Sequence, residues 1–258
     1  MKSVFKKHDV NHLSASTINL WISQPALCLL KIAGLSDHEA GPAAWRGSAT
    51  DIAITEAAFQ PHTPDDKLIG EALNAFDTKV EETTNEVPED KIKKERDTLH
   101  KYVSVGAKFY RNIKERPIES QGRVVANIGE IDVPFFGFFD LLYDDKVRDI
   151  KTVGRKVSEL TQAASRQASI YGHATKREPW IDYVTQKEVL SFKVTNPQYH
   201  LRQLEIAALG LQKVLSHSND IIECCQLVYP DLDHWMWTET MKRIAKDVWN
   251  MEDQNEQQ

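Results

Sequence analysis

Two aspartates and a lysine set the chemistry this chain could perform. Asp140 interrupts an apolar run, Phe138-Phe139-Asp140-Leu141-Leu142, and Asp149-Ile150-Lys151 follows shortly after. Residues two apart in a strand point to one face, so Asp149 and Lys151 share a face while Ile150 points into a core. If Asp144-Asp145 is the turn between two strands, Asp140 and Asp149 meet across the hairpin. Two carboxylates and an amine converging from half-buried strands are costly without a partner. A divalent metal would relieve that cost, and Mg²⁺ suits two acids, several waters and a phosphate. The same residues also fit a surface ion pair on a sheet edge. Four other acid-x-Lys triplets (Asp65/Lys67, Asp77/Lys79, Glu89/Lys91 and Asp144/Lys146) sit in polar or turn-like contexts and read as solvated charge.

A helix expected at 156–176 carries the next candidates. Gln167 and Tyr171 are four apart and share a helical face. Arg155, Lys156, Arg166, Lys176 and Arg177 lie on or beside this segment. Near a metal-binding strand pair, such a helix would suit a polyphosphate backbone. Alone, it fits an ordinary amphipathic helix with a basic solvent face.

The elements that must position these groups follow from the pattern. Residues 13–34 predict a helix capped by Ser14 or Ser16, interrupted at Pro25 and resuming over Ala26 to Ile32 before Gly34. Residues 45–59 predict another helix, and 97–114 a third, with Leu99, Tyr102, Val103, Val105 and Phe109 as its apolar positions. Between them, 60–100 is rich in charge and short of large apolar residues, which reads as a solvated helical insertion with loops. Strands are expected at 122–128, 130–135, 137–143 and 146–152, with Pro134 at an edge or strand end. A hairpin follows at 180–185 and 189–194 around Gln186-Lys187-Glu188. A helix over 198–216 carries Leu201, Leu204, Ala208, Leu211 and Leu215. The order predicts one α/β or α+β domain over 1–258, a mixed sheet flanked by helices with a helical N-terminal part. Its parts are a helical insertion at 60–115, a core at 121–215 and a polar, frayed tail at 251–258.

Composition bounds the rest. The 258 residues suffice for one sizeable core or two small ones, and 41% hydrophobic with 27% charged residues describes a globular chain. Three cysteines, two of them adjacent at 224 and 225, argue against a disulfide scaffold and for a reducing compartment. No apolar run approaches the ~20 residues of a membrane helix, and Met1 to His8 lacks the apolar core of a secretory signal. A cytoplasmic protein with no membrane partner is expected. There is no phosphate-binding glycine loop and no Gly-x-Ser-x-Gly elbow. The net charge of -6 counts against nucleic acid only as an average. Residues 101–215 hold 18 basic and 13 acidic residues, whereas 61–100 hold 6 and 11, and 216–258 hold 3 and 9.

Taken together, Gly137-Phe138-Phe139-Asp140, Asp149-Ile150-Lys151-Thr152 and Gln167-Ala168-Ser169-Ile170-Tyr171 resemble the PD-(D/E)XK nuclease superfamily, most closely its RecB-type branch and phage exonucleases. Leu13-Ser-Ala-Ser-Thr-Ile-Asn19 resembles that branch's opening helix. Arg46-Gly-Ser-Ala-Thr-Asp51 resembles its Gly-x-x-x-His/Glu segment, with Asp51 where the family has a His or Glu metal ligand. The resemblance covers roughly 13–240, leaving 60–115 unmatched. It implies a restriction-endonuclease-like core and a Mg²⁺-dependent DNA exonuclease, with Mn²⁺ as a substitute, in recombination, replication or repair and from a phage genome. A phage enzyme would work in the bacterial cytoplasm. By the same resemblance Asp140, Asp149, Asp51 and the carbonyl of Ile150 hold the metal, with Glu56 as the substitute for Asp51. Lys151 orients or deprotonates a water or stabilises the phosphate, and Gln167 and Tyr171 position the strand or the water. Arg155, Lys156 and Arg166 contact phosphates. The partners implied are DNA with free ends and a single-strand annealing or binding protein. Many RecB-type relatives carry an iron–sulfur cluster. Cys28 and the Cys224-Cys225 pair lack the spacing of four thiolate ligands, so none is expected, and Met241, Ile244, Val248 and Trp249 are expected to close that region by apolar packing. The same fold also serves as a non-cleaving scaffold and as an endonuclease.

Overall fold

The computed structural model describes residues 3–36, 40–84 and 86–251. Its elements in chain order are α1 (Val4–Lys7), α2 (Ala15–Ser23), α3 (Pro25–Ile32), α4 (Pro42–Phe59), α5 (Asp65–Glu82), α6 (Glu89–Asn112), β1 (Glu119–Ala126), β2 (Phe135–Leu142), β3 (Lys146–Thr152), α7 (Gln162–Thr175), β4 (Glu178–Val184), β5 (Val189–Lys193), α8 (Pro197–Leu215), α9 (Ile221–Cys225) and α10 (Glu239–Trp249). The five strands form one mixed sheet in the order β1-β2-β3-β4-β5. β2 and β3 are antiparallel, with Leu141 opposite Arg148. β3 and β4 are parallel, with Asp149 opposite Ile181, and β4 and β5 are antiparallel, with Asp182 opposite Ser191. A parallel pair needs a crossover, and α7 is that crossover.

The chain divides into two compact units. One comprises Met1–His38, Val125–Gly137 and Gln198–Gln258, and the other Glu39–Val124 and Phe138–Pro197. In the first, Pro25 occupies the N-terminal position of α3, where its missing N–H costs no hydrogen bond, and so α2 ends at Ser23. Ser14 caps α2 by accepting from the Thr17 N–H at 3.1 Å. Ala26, Leu27 and Leu30 pack with Trp237, Met241 and Ala245, joined by Ile244, Val248 and Trp249, so the terminal helix closes this region by apolar packing. Cys28, Cys224 and Cys225 are buried free thiols, and burial pushes the Cys28 thiol up to about 12.

In the second unit, α4 is the hub. One side of it packs with Leu68, Ala72 and Phe76 of α5 and Leu99, Val103 and Ala107 of α6. The charge-rich segment is therefore less solvated than its composition suggests, because its few apolar residues recur every four and fall on one buried face. α6 also begins earlier than expected, at Glu89, which makes the charged stretch the first turns of one long helix. Ile54 and Ala58 of α4 and Tyr102 and Tyr110 of α6 cover the sheet face carrying Leu141 and Ile150. Emptying the Phe76 position tests this packing: Phe76→Ala is expected to cost about 3–5 kcal/mol in urea unfolding, whereas a solvated insertion would lose almost nothing.

Two expected elements differ in the structure. Residues 130–134 do not form a strand: Gly129 turns the chain with φ 55° and β2 starts only at Phe135, the last residue of the expected strand. The segment instead meets the N-terminal part, with the Leu13 N–H donating to Pro134 O at 2.9 Å and the Phe136 N–H to Leu13 O at 2.8 Å. The helix expected from 156 starts at Gln162, capped by Thr161, which accepts from the Ala164 N–H at 3.2 Å. Val157 and Leu160 precede it in irregular chain and pack against Ala164 and Ala168. Arg155 and Lys156 accordingly lie in a loop, and Lys176 and Arg177 follow the last helical residue. The tail beyond Met251 lies outside the described residues. Among the described residues no helix is long and apolar enough to cross a membrane.

Candidate functional site

β3 is the middle strand and is buried along most of its length, yet it carries Arg148 and Asp149 side by side. Strand alternation sends them to opposite faces. Arg148 meets Asp182 of β4, with Nη1 2.8 Å from each carboxylate oxygen. Ser191 Oγ and the Tyr110 hydroxyl each donate to Asp182 at 2.5 Å. That buried acid is thus supplied on both oxygens, as a structural carboxylate must be. It is the reference against which the acids on the other face stand out.

On the other face, the register places Asp140 one step beyond Leu141, opposite Asp149. Asp140 Oδ2 accepts the Ile150 N–H at 2.6 Å, and Oδ1 accepts from the Gln121 side-chain amide at 3.0 Å. Asp149 Oδ1 accepts from Gln167 Nε2 at 3.3 Å. Its Oδ2 lies 2.7 Å from the Lys151 ammonium, but has no partner of good hydrogen-bond geometry. Gln167 Nε2 also donates to the Tyr171 hydroxyl at 2.7 Å. The i, i+4 pair therefore reaches the acids as one connected set. α7 is held close enough for this by Ala164 and Ala168, whose small side chains pack on Ile181 and Tyr183 of β4.

α4 supplies the third acid. Gly47 faces β3 so closely that a Cβ there would lie 3.2 Å from Thr152 Oγ1. One turn later the same helix face presents Asp51, which feels the charges of Asp140, Asp149 and Lys151. Asp51 Oδ1 is buried without a hydrogen-bond partner. Arg46, just before Gly47, points elsewhere: it pairs with Glu95 of α6 and lies 4.5 Å over the Tyr102 ring. Glu56 accepts from Thr63 Oγ1 at 3.3 Å and faces Lys67 at 3.7 Å. A cavity of about 490 Å³ opens beside Asp51 and Asp140, also lined by Ser48, Thr55, Glu56, Glu71 and Gln121.

The electrostatics follow from burial. Burial, then the charges of Asp140 and Asp149, holds Asp51 well above the usual carboxylate range. Burial and then Asp149 push Asp140 up to about 7, against the pull of the Ile150 amide, Lys151 and Gln121. Burial raises Asp149 too, although Lys151 opposes it. For Lys151 burial acts downward, but Asp149 and Asp140 outweigh it and leave the amine a firm ammonium. The Tyr171 phenol is pushed up to about 12, mainly by burial. Three carboxylates thus share one lysine, and one buried oxygen on each of Asp51 and Asp149 has no hydrogen-bond partner. That donor set, all hard oxygen, fits Mg²⁺ or Mn²⁺. Among the described residues no three His, Cys, Asp or Glu side chains are already arranged to hold an ion.

Of the residues expected at a site, Asp51, Asp140, Asp149, Lys151, Gln167 and Tyr171 come together. Ile150 contributes its N–H to Asp140, and its side chain lies in the core. The three basic residues do not join them as a set. Arg155 is exposed in the loop before α7, Lys156 pairs with Glu188 at 2.9 Å, and Arg166 is buried on α7. Gln121 was not expected. Its signal was the glycine after it, since a glycine inside a strand pattern marks a bulge or a close approach.

No family model and no curated protein matches this chain. Among solved structures, one described as "Crystal structure of SSO0001" is similar over 70% of this chain and 85% of its own, at 15% sequence identity and a TM-score of 0.35.

Proposed function

We propose that this chain is a divalent-metal-dependent nuclease of the PD-(D/E)XK, RecB-type kind that hydrolyses DNA from its ends. The observation that carries the reading is the contrast across β3. Asp182 is saturated with donors on one face, while on the other Asp149 keeps a buried oxygen without a hydrogen-bond partner beside Asp140, and Asp51 of α4 brings a second such oxygen within reach of both charges. A fold that can pair one buried acid fully, and leaves two buried acid oxygens unpaired beside a third carboxylate, is arranged for a cation. The mixed five-stranded sheet flanked by helices is compatible with the family's core.

In this reading Asp140, Asp149 and Asp51 hold Mg²⁺ or Mn²⁺, with the Ile150 carbonyl as a further ligand. When bound, the ion supplies a water of lowered pKa and charge neutralisation at the scissile phosphate. Lys151 acts as an ammonium against the phosphate's developing charge rather than as a base, because both neighbouring acids hold its proton. The Gln167 amide fixes Asp149 and Tyr171 with respect to each other, and Tyr171 stays a neutral phenol that can donate to a phosphate oxygen. Arg155 and Lys156 are the basic side chains exposed to a backbone near β3, and the surplus of positive charge over 101–215 favours a polyanion there. Arg166, being buried, would act by shaping α7. Digestion of end-labelled linear duplex and single-stranded DNA with Mg²⁺ or Mn²⁺ tests the proposal. Stepwise loss of nucleotides from an end is expected. No cleavage of either substrate would overturn it, and cleavage of circular single strands would make the enzyme an endonuclease.

A further inference from the structure

Gln121 stands inside β1 with φ 52°. For a residue with a side chain this left-handed conformation is strained, and in a strand it interrupts the ladder as a bulge does. Its neighbour shows why the chain bends there. A Cβ on Gly122 would fall 2.1 Å from the Phe139 ring, so the backbone at 121–122 is pressed against β2 as only glycine allows. The bend turns the Gln121 side chain toward the site, where its amide donates to Asp140 Oδ1 at 3.0 Å and lines the cavity beside Asp51. Asp140 Oδ2 is already taken by the Ile150 N–H at 2.6 Å. Asp140 is therefore gripped at both oxygens by uncharged donors, one from the backbone of β3 and one from a strained residue of β1. A carboxylate held this way keeps its plane, and one lone pair on each oxygen is left over.

We propose that Gln121 is a positioning residue that sets the orientation of Asp140 for a divalent cation. The proposal rests on the metal reading of the site and deepens it. Outer donors of this kind are worth about 10- to 100-fold in metal affinity.

The test is calorimetric titration of the full chain with Mn²⁺, alongside thermal melts in chelator. Gln121→Gly suits the left-handed backbone but has no amide, and Gln121→Met keeps the length without a donor. Both are expected to bind Mn²⁺ about 10- to 100-fold more weakly. The metal-free melting temperature of Gln121→Gly is expected to stay level or rise, since the strain is relieved. A residue that only supports the fold would move stability and affinity together, so a Gly variant that loses both overturns the proposal. Variants that bind within about threefold of the wild type also overturn it, that being well short of the loss expected of an outer donor. Absence of Mn²⁺ binding by the wild-type chain overturns the metal reading, and this inference with it. Wild-type binding that Asp149→Asn abolishes upholds the metal reading whatever Gln121 does.

Discussion

Asp149→Asn is expected to cut Mg²⁺-dependent DNA degradation by ~100-fold or more while leaving the fold as stable as before. The two halves of that result have one cause. Asp149 sits in the buried middle strand, and burial raises its pKa, so its charge is disfavoured in the folded chain without a cation. Asparagine has the same shape and keeps an oxygen for the Gln167 amide. What it loses is the partner of Lys151, whose side chain is about one-third exposed (34%) and can turn to water or toward Asp140. The charge removed was therefore costly to folding, and the chemistry at the phosphate depended on it. Release of labelled nucleotides, followed beside a circular-dichroism melt, reads both quantities. Wild-type digestion by this variant would remove Asp149 from the catalytic centre, whereas a collapsed melt would show it to be structural.

Acidifying the metal-free chain from pH 7.5 to 5.5 is expected to raise its melting temperature. Asp140 titrates near 7 in the folded protein against about 4 in an unfolded chain, and Asp51 and Asp149 are displaced in the same direction. Between these values the folded state holds protons that the unfolded state has released, so unfolding releases protons and stability falls as pH rises. The penalty is fully present above pH 7 and fades toward pH 4. The ion pair of Asp77 with Arg96 acts oppositely, but Asp77 is depressed below its usual value, so that contribution is lost only at lower pH. Adding Mn²⁺ at pH 7.5 should restore the lost stability, and protons should compete with it at pH 5.5. Melts in chelator and in Mn²⁺ across this range measure both effects. A melting temperature that stays flat without metal would mean the three acids are not under the strain their burial implies.

The strands and the acids were legible in the sequence because each obeyed a short-range rule. Alternation placed Asp149 and Lys151 on one face, the Asp144-Asp145 turn brought Asp140 opposite Asp149, and helical spacing joined Gln167 to Tyr171. The misread segments obeyed the same rules for other reasons. Ile131, Val133 and Phe135 alternate with more exposed neighbours as a strand would, but what they satisfy is packing, and the backbone bonds of this segment go to Leu13. Val157 and Leu160 are spaced like a helix face yet precede the cap at Thr161, serving as a lid on Ala164 and Ala168. Arg166 reads as a solvent-facing charge, and burial among tertiary neighbours is not written in its local spacing. Gln121 was hidden for a third reason. Its role depends on a left-handed backbone beside a glycine that lies close against the Phe139 ring of the adjacent strand.

The adjacency of Arg148 and Asp149 also guards β3 against misalignment. A slip by one residue turns every side chain to the opposite face. It would carry Asp149 toward Asp182 and Tyr110, which already supply all the negative charge and hydroxyl that face can use, and would strand Asp182 without its guanidinium. Arg148 would meanwhile arrive on the face of Asp140, away from the Tyr143 and Trp180 rings it lies over. Two opposite charges on consecutive residues thus act as a lock-and-key for strand alignment, and the same pair that leaves the acids short of partners ensures that the chain can assemble them in only one frame.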